Sequence, residues 1–279
     1  MHRTIGNPTA KAAIDMALWD ILGKAWGQPV HRLLGGWTDR MRVSHMLGFD
    51  DPAKMVDEAA RMIDTYGIRT FKVKVGRRPV DLDVAVVRAL REAYGDDIEL
   101  YVDGNRGWTA SESARALHQM ADLGLTLAEE LNPADDVLGR RWLVSQTPIP
   151  YVADESATTP AEVTRELLGG SATAISIKTA RTGFSGSEEI LHLATGLGVE
   201  VVMGNQIDGQ LGTACTLAFG AAFEATSARA GELSNFLDMS DDLLADPLQI
   251  SNGELLVPDQ PGIGVRIDED KVERYRLDR

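Results

Sequence analysis

From about residue 43 onward, short apolar stretches alternate with longer amphipathic ones, and no other feature of the chain restricts its fold more. The apolar stretches are "VSHMLGF", "TFKVKV", "IELYVD", "LTLAEE", "PYVAD", "AISIK", "EVVMG" and "ARAGE". Between them, helical periodicity covers residues near 52–65, 81–94, 110–123, 137–145, 160–168, 185–197 and 209–223. Several of these helices open on turn or cap signals such as "TTPAE" and "GFSGSEE". Eight strands joined by seven helical segments require parallel strands with right-handed crossovers. A closed (β/α) barrel and an open doubly wound sheet both satisfy that order. The chain has no GxGxxG and no GxxxxGK[ST], which weakens the nucleotide-binding open sheet.

Ahead of this rhythm, "NPTAKAAIDMALWDILGKAWG" reads as a helix. Asn7 is its expected cap, Pro8 lies in its first turn and Gly27 follows its end. The expected layout is a helical entry over 1–40, a (β/α) barrel over 41–245, and a turn-rich C-terminal segment over 246–279. That last segment is expected to pack back toward the position of a cap.

Composition narrows the function classes. A hydrophobic content of 44% and a charged content of 25% describe a globular chain with an ample core. The formal net charge of −14 argues against nucleic acid or an anionic membrane as the main partner. The single cysteine, Cys215, excludes an internal disulfide and lies in an apolar run, as a buried structural thiol does. With no signal-peptide core at "MHRTIGNPTA" and no long apolar span, the expected location is cytoplasmic.

"TFKVKVG", residues 70–76, carries the first hint of chemistry. Phe71, Val73 and Val75 point one way from an extended chain, and Thr70, Lys72 and Lys74 the other. An isolated triplet of this kind is usually a solvated outer face. In a barrel the same face turns inward, toward whatever the neighbouring strands supply.

Those strands supply acids. The third ends with Asp103 and Asn105, the fourth with Glu129 and Glu130, the fifth with Asp154 and Glu155, and the sixth with Lys178. Any one acid after a strand is commonly a helix cap or a turn residue. Three adjacent parallel strands each delivering a carboxylate to one barrel mouth is different, because such groups repel unless protonated or bridged by a cation. Oxygen-only ligands favour Mg²⁺ or Mn²⁺ over zinc. None of the five histidines, His2, His31, His45, His118 and His192, sits at these strand ends.

Taken with "AAIDMALWDILGKAWGQPVHRLLGG" and "PGIGV", these motifs resemble the enolase superfamily, in its muconate-lactonizing subgroup. The resemblance runs over nearly the whole chain. Its spacing is specific: 29 positions separate Lys74 from Asp103, then 26 to Glu129, 25 to Asp154 and 24 to Lys178. It implies an α/β fold, a (β/α)7β TIM-like barrel lacking most of the superfamily's α+β cap.

The resemblance also implies that Asp103, Glu129 and Asp154 bind Mg²⁺ or Mn²⁺ and that Lys74 and Lys178 are acid/base groups on opposite faces of a substrate. Lys72 is expected to support Lys74 or to contact a substrate carboxylate. Asn105, Gln206 and Glu232 are expected to support the site or bind substrate, and Gln206 and Asp208 fall where relatives vary.

The expected reaction is conversion of cis,cis-muconate, or a related dicarboxylate, to muconolactone through a metal-stabilised enolate. The absence of a histidine in "VVMGNQIDGQLGTA" sets the mandelate-racemase subgroup aside. N-succinylamino acid racemase, o-succinylbenzoate synthase and dipeptide epimerase remain as alternatives. "NFLDMSDD" lacks the Asp-x-Asp placement that dipeptide epimerases use. A capless barrel that binds metal but turns over little is a further alternative. A homo-oligomer acting on a small carboxylate, with neither nucleic acid nor membrane as partner, is the expected setting.

Overall fold

The computed structural model describes residues 5–278. The chain forms two compact units. One comprises Met1–Val43, Lys178–Glu188 and Met203–Arg279, and the other Ser44–Ile177 and Glu189–Val202.

The first unit opens with α1 (Pro8–Trp26) and α2 (Val30–Leu34). Gly27 ends α1 in the left-handed region, as expected. Asn7 does not cap it: its own φ is 53° and its side chain makes no capping bond. Its amide donates instead to the Ile5 carbonyl (3.4 Å), a local bond that competes with capping. Asp20 of α1 accepts the backbone N–H of Ile263 at 2.8 Å, while Val30 N–H bonds the Gly262 carbonyl at 2.8 Å. "PGIGV" is thus fastened to the helical entry.

Strand β1 (Arg40–Leu47) begins in this unit, where Arg40, Met41 and Arg42 pair antiparallel with a C-terminal hairpin strand.

In the second unit the remainder of β1 is followed by α3 (Pro52–Tyr66), β2 (Thr70–Lys74), α4 (Asp81–Tyr94), β3 (Glu99–Asp103) and α5 (Ala110–Gln119). Then come β4 (Leu125–Glu129), α6 (Val137–Gln146), β5 (Tyr151–Ala153), α7 (Pro160–Gly169) and β6 (Ala174–Ile177). α8 (Thr179–Gly196), whose residues up to Glu188 belong to the first unit, leads to β7 (Glu200–Met203). The seven strands follow chain order across the sheet, and the registered pairs from β1 to β6 are parallel. The expected strand and helix positions therefore hold closely.

The caps hold too. Thr109 and Glu112 form a reciprocal capping box on α5, and Thr159 accepts the Glu162 N–H to start α7. The helix expected from 185 instead starts at Thr179 and breaks at Gly183 (φ 66°, ψ −178°), a backbone region open almost only to glycine. Asp15 of α1 stabilises the break, accepting from Phe184 N–H (2.7 Å), Ser185 N–H (3.0 Å) and the Ser185 hydroxyl (2.7 Å).

The first unit resumes after β7 with α9 (Gln210–Gly220), α10 (Glu224–Ser227) and β8 (Gly231–Glu232). The hairpin β9 (Ile250–Ser251) and β10 (Glu254–Leu256) and the helix α11 (Glu269–Tyr275) complete it. Phe184 and Phe219 stack with ring centres 6.2 Å apart.

In the second unit one apolar layer is built from Tyr101, Leu127, Val152, Ala174 and Val202, one from each of β3 to β7. Strand side chains repeat every two residues. Two positions further along, Asp103 and Glu129 end β3 and β4, and Asp154 directly follows β5. The core thus sits directly beneath the carboxylates.

Candidate active site

The question raised by "TFKVKVG" has a clear answer. Lys72 is 1% exposed, and its ammonium lies 2.9 Å from Asp103 Oδ2 and 3.0 Å from Glu129 Oε2. Lys74, one turn of the pleat further on, donates to the same Asp103 oxygen at 2.6 Å and to Asn105 Oδ1 at 2.5 Å. Parallel register explains the meeting, since Lys74 stands opposite Asp103 and Asp103 opposite Glu129. The lysines face acids and not solvent.

Asp103, Glu129 and Asp154 are all fully buried. Burial alone raises the Asp103 pKa, but the charges of Lys72 and then Lys74 outweigh it and hold the carboxyl below its usual range. Asn105, in the left-handed region at φ 39°, turns its backbone N–H onto Asp103 Oδ1 at 2.9 Å and its amide onto Glu155 Oε1 at 2.8 Å. Burial raises the Glu155 pKa, and the neighbouring Asp154 charge adds to that. The other Glu155 oxygen is buried with no hydrogen-bond partner, as is the Ser176 hydroxyl two residues beyond Ala174.

The chemistry of this donor set suits a divalent cation. Three buried carboxylates on consecutive strands offer only oxygen, and an ammonium already bridges two of them as a cation does.

Lys178, Gln206 and Glu232 belong to the other unit. Lys178 directly follows β6 and is 8% exposed; its carbonyl accepts the N–H groups of Arg181 and Thr182 as the next helix begins. Glu232 is buried in β8. Gln206 is exposed, whereas its neighbour Asn205 is buried and accepts the Asp208 N–H at 2.7 Å. Burial raises the Asp208 pKa, a backbone hydrogen bond from Gln206 and the Lys178 charge lower it, and the Glu232 charge raises it.

Three buried polar residues near these groups escape a reading of the sequence. Arg140 is fully buried and pairs with Glu130. Asn205 turns the loop after β7. Asp83, fully buried, gathers the backbone N–H groups of Gly76 (2.7 Å) and Arg77 (2.8 Å) just beyond Lys74. Each is an ordinary polar residue of a helix or turn until its partners are known. A charged residue inside an apolar helical stripe was the one available signal.

Buried carboxylates and lysines gathered at the ends of parallel strands are what an enzyme site is built from, and comparison with known proteins identifies the family. The family described as "Enolase C-terminal domain-like" matches residues 54–271, and the mandelate racemase / muconate lactonizing enzyme N-terminal domain matches residues 1–35. The chain belongs to this family of the enolase superfamily, and it is an isomerase. The stretch expected as a helical entry is thus itself family N-terminal sequence.

The chain has the α/β barrel-like fold of solved muconate lactonizing enzymes. One from Mucobacterium Smegmatis is 71% identical with a TM-score of 0.99, over 100% of this chain and 78% of that one. The same enzyme complexed with muconolactone matches equally well, over 76% of that chain. Muconate cycloisomerase 1 of Acinetobacter baylyi is 33% identical over 97% of this chain and 74% of its own length. The L-Ala-D/L-Glu epimerase of Bacillus subtilis is 32% identical over 95% and 72%.

Proposed function

We propose that the protein is a muconate cycloisomerase, converting cis,cis-muconate to muconolactone with a divalent cation and two acid/base lysines. The observation that carries this is the 71% identity, over the whole chain, to a muconate lactonizing enzyme solved with muconolactone bound. Similarity near 30% is shared by cycloisomerases and epimerases alike and does not separate them.

Asp103, Glu129 and Asp154 would hold the cation, Mg²⁺ or Mn²⁺. When bound, it supplies positive charge that stabilises the enolate generated as one substrate carboxylate adds across the diene. Lys74 and Lys178 are the proton-transfer groups, one of which protonates the carbon that has become nucleophilic. Lys72 balances the charge of Asp103 and Glu129. Asn105 fixes the Lys74 ammonium through its side-chain oxygen, and Gln206 and Glu232 belong to the substrate-binding surroundings of Lys178.

The test is ultraviolet absorbance of the muconate diene with Mg²⁺ or Mn²⁺ present. Loss of absorbance with wild-type protein and none with Lys178→Ala supports the reading. Turnover of an N-succinylamino acid or a dipeptide, with muconate untouched, would replace it with an epimerase or racemase activity. Metal binding without turnover of any of these would indicate a catalytically poor barrel.

A further inference from the structure

We infer that Glu130, held by Arg140, is a positioning residue that aligns the three carboxylate-bearing strand ends for the cation. The inference rests on the assignment of Asp103, Glu129 and Asp154 as the ligands.

Glu130 directly follows β4 and bonds to β5 and to the turn after β3. Its backbone N–H donates to the Val152 carbonyl of β5 at 3.0 Å. Its carbonyl accepts the Arg106 N–H at 2.7 Å, from the turn that follows Asp103. Its Oε2 accepts the backbone N–H of Asp154 at 2.8 Å and the Ser156 hydroxyl at 2.9 Å. Regular pairing of β5 stops at Ala153, so the buried Asp154 N–H meets a side chain where a strand carbonyl would have stood. Glu130 also holds a φ of 40°, uncommon for a side chain of its size. That turn carries the chain from Glu129 on the inner face to a carboxylate aimed at the next strand.

A second fully buried carboxylate beside Glu129 would compete for the cation if left alone. Arg140 removes that conflict. Its Nη1 donates to Glu130 Oε1 at 2.5 Å and its Nη2 to the Ser156 hydroxyl at 2.9 Å. Its guanidinium lies over the Tyr151 ring, 5.4 Å from the centroid. Burying an ion pair brings little net stability by itself. Here it allows a charged acceptor, which holds a backbone N–H more firmly than a neutral one, to sit behind the ligands without drawing the cation away.

The experiment is Mn²⁺ titration of the purified protein by electron paramagnetic resonance, with folding followed by circular dichroism. Glu130→Gln loses one of its acceptor oxygens, so either the Asp154 N–H loses its acceptor or Arg140 loses one of its partners. Its Mn²⁺ dissociation constant is expected to rise about 10- to 100-fold with the fold retained. Glu166→Gln removes another carboxylate that pairs with Arg140, at 3.5 Å, but does not touch Asp154. It should leave Mn²⁺ affinity within about twofold.

Unchanged affinity in folded Glu130→Gln, or equal losses in both variants, overturns the inference. Should Glu130→Gln fail to fold, Ser156→Ala decides, since it removes one donor to the same oxygen; unchanged affinity there overturns the inference. Wild-type protein that binds no Mn²⁺ overturns the ligand assignment itself, and a wild type that binds alongside an unaffected Glu130→Gln overturns only the role of Glu130.

Discussion

The ammonium of Lys72 and the carboxylate of Asp103 meet at 2.9 Å with both side chains 1% exposed. Removing one partner of such a pair leaves an uncompensated charge inside the protein. Lys72→Met is expected to cost the metal-free protein about 3–5 kcal/mol in urea unfolding. Mg²⁺ should then raise the melting temperature more in the variant than in wild type, because the cation takes over part of the lost compensation. Equal Mg²⁺ shifts would show that Lys72 and the cation do not act on the same carboxylates.

Chelation by EDTA should abolish muconate turnover, and adding back Mg²⁺ or Mn²⁺ should restore it, as an all-oxygen donor set requires. Asp154→Asn should weaken Mn²⁺ binding while leaving the far-ultraviolet circular dichroism unchanged. Full activity in EDTA would refute the role given to the cation.

Lys178→Ala is expected to lower kcat by roughly 10²- to 10⁴-fold, the usual worth of a general acid or base. Mn²⁺ affinity should stay near wild type, since Lys178 is not among the carboxylates. A variant that loses metal and activity together would make Lys178 a structural group.

Gly183 breaks α8 at a φ of 66°, and a Cβ there would come within 2.6 Å of Asp15 Oδ2. Gly183→Ala should destabilise by about 1–3 kcal/mol. Because Lys178 lies five residues upstream in the same segment, a fall in kcat exceeding the loss of folded protein is also expected. An Ala variant as stable as wild type would refute the strain argument.

Burial pushes the Cys215 thiol up to about 12. The thiol stays protonated at pH 8, so Ellman's reagent should label it only after denaturation. The sign for stability follows from a folded pKa raised above the unfolded value. The protonated thiol's contribution is complete below about pH 9 and is lost as pH rises toward 12. Cys215→Ala should therefore flatten the alkaline part of the stability curve. Rapid labelling of native protein at pH 8 would contradict the burial.

Much of this architecture could be read before any coordinates. The strands were legible because apolar residues cluster in short β-branched runs, and the helices because their apolar stripes repeat and their caps are conventional. The carboxylate array was legible because each acid stands at a strand end, two positions beyond its core residue. What escaped depends on long-range partners. Nothing local separates Arg140 from the exposed arginine next to it, Arg141. Asn7 has the composition of a cap but spends its amide on Ile5. The break in α8 needed Asp15, which lies 168 positions before Gly183 in the chain, to receive the freed N–H groups.

The turns after β2 and β3 press backbone on backbone. A Cβ on Gly107 would meet Gly76 Cα at 2.8 Å, and one on Gly104 would meet Leu131 Cα at 2.8 Å. A side chain added at either glycine would therefore shift more than one strand end together. The ground on which the carboxylates stand is in this sense indivisible, and it offers mutation no small steps. The loop after β7, with Gln206 and Ile207 in solvent, has that freedom. A substitution at either exposed position leaves the packed strand ends undisturbed.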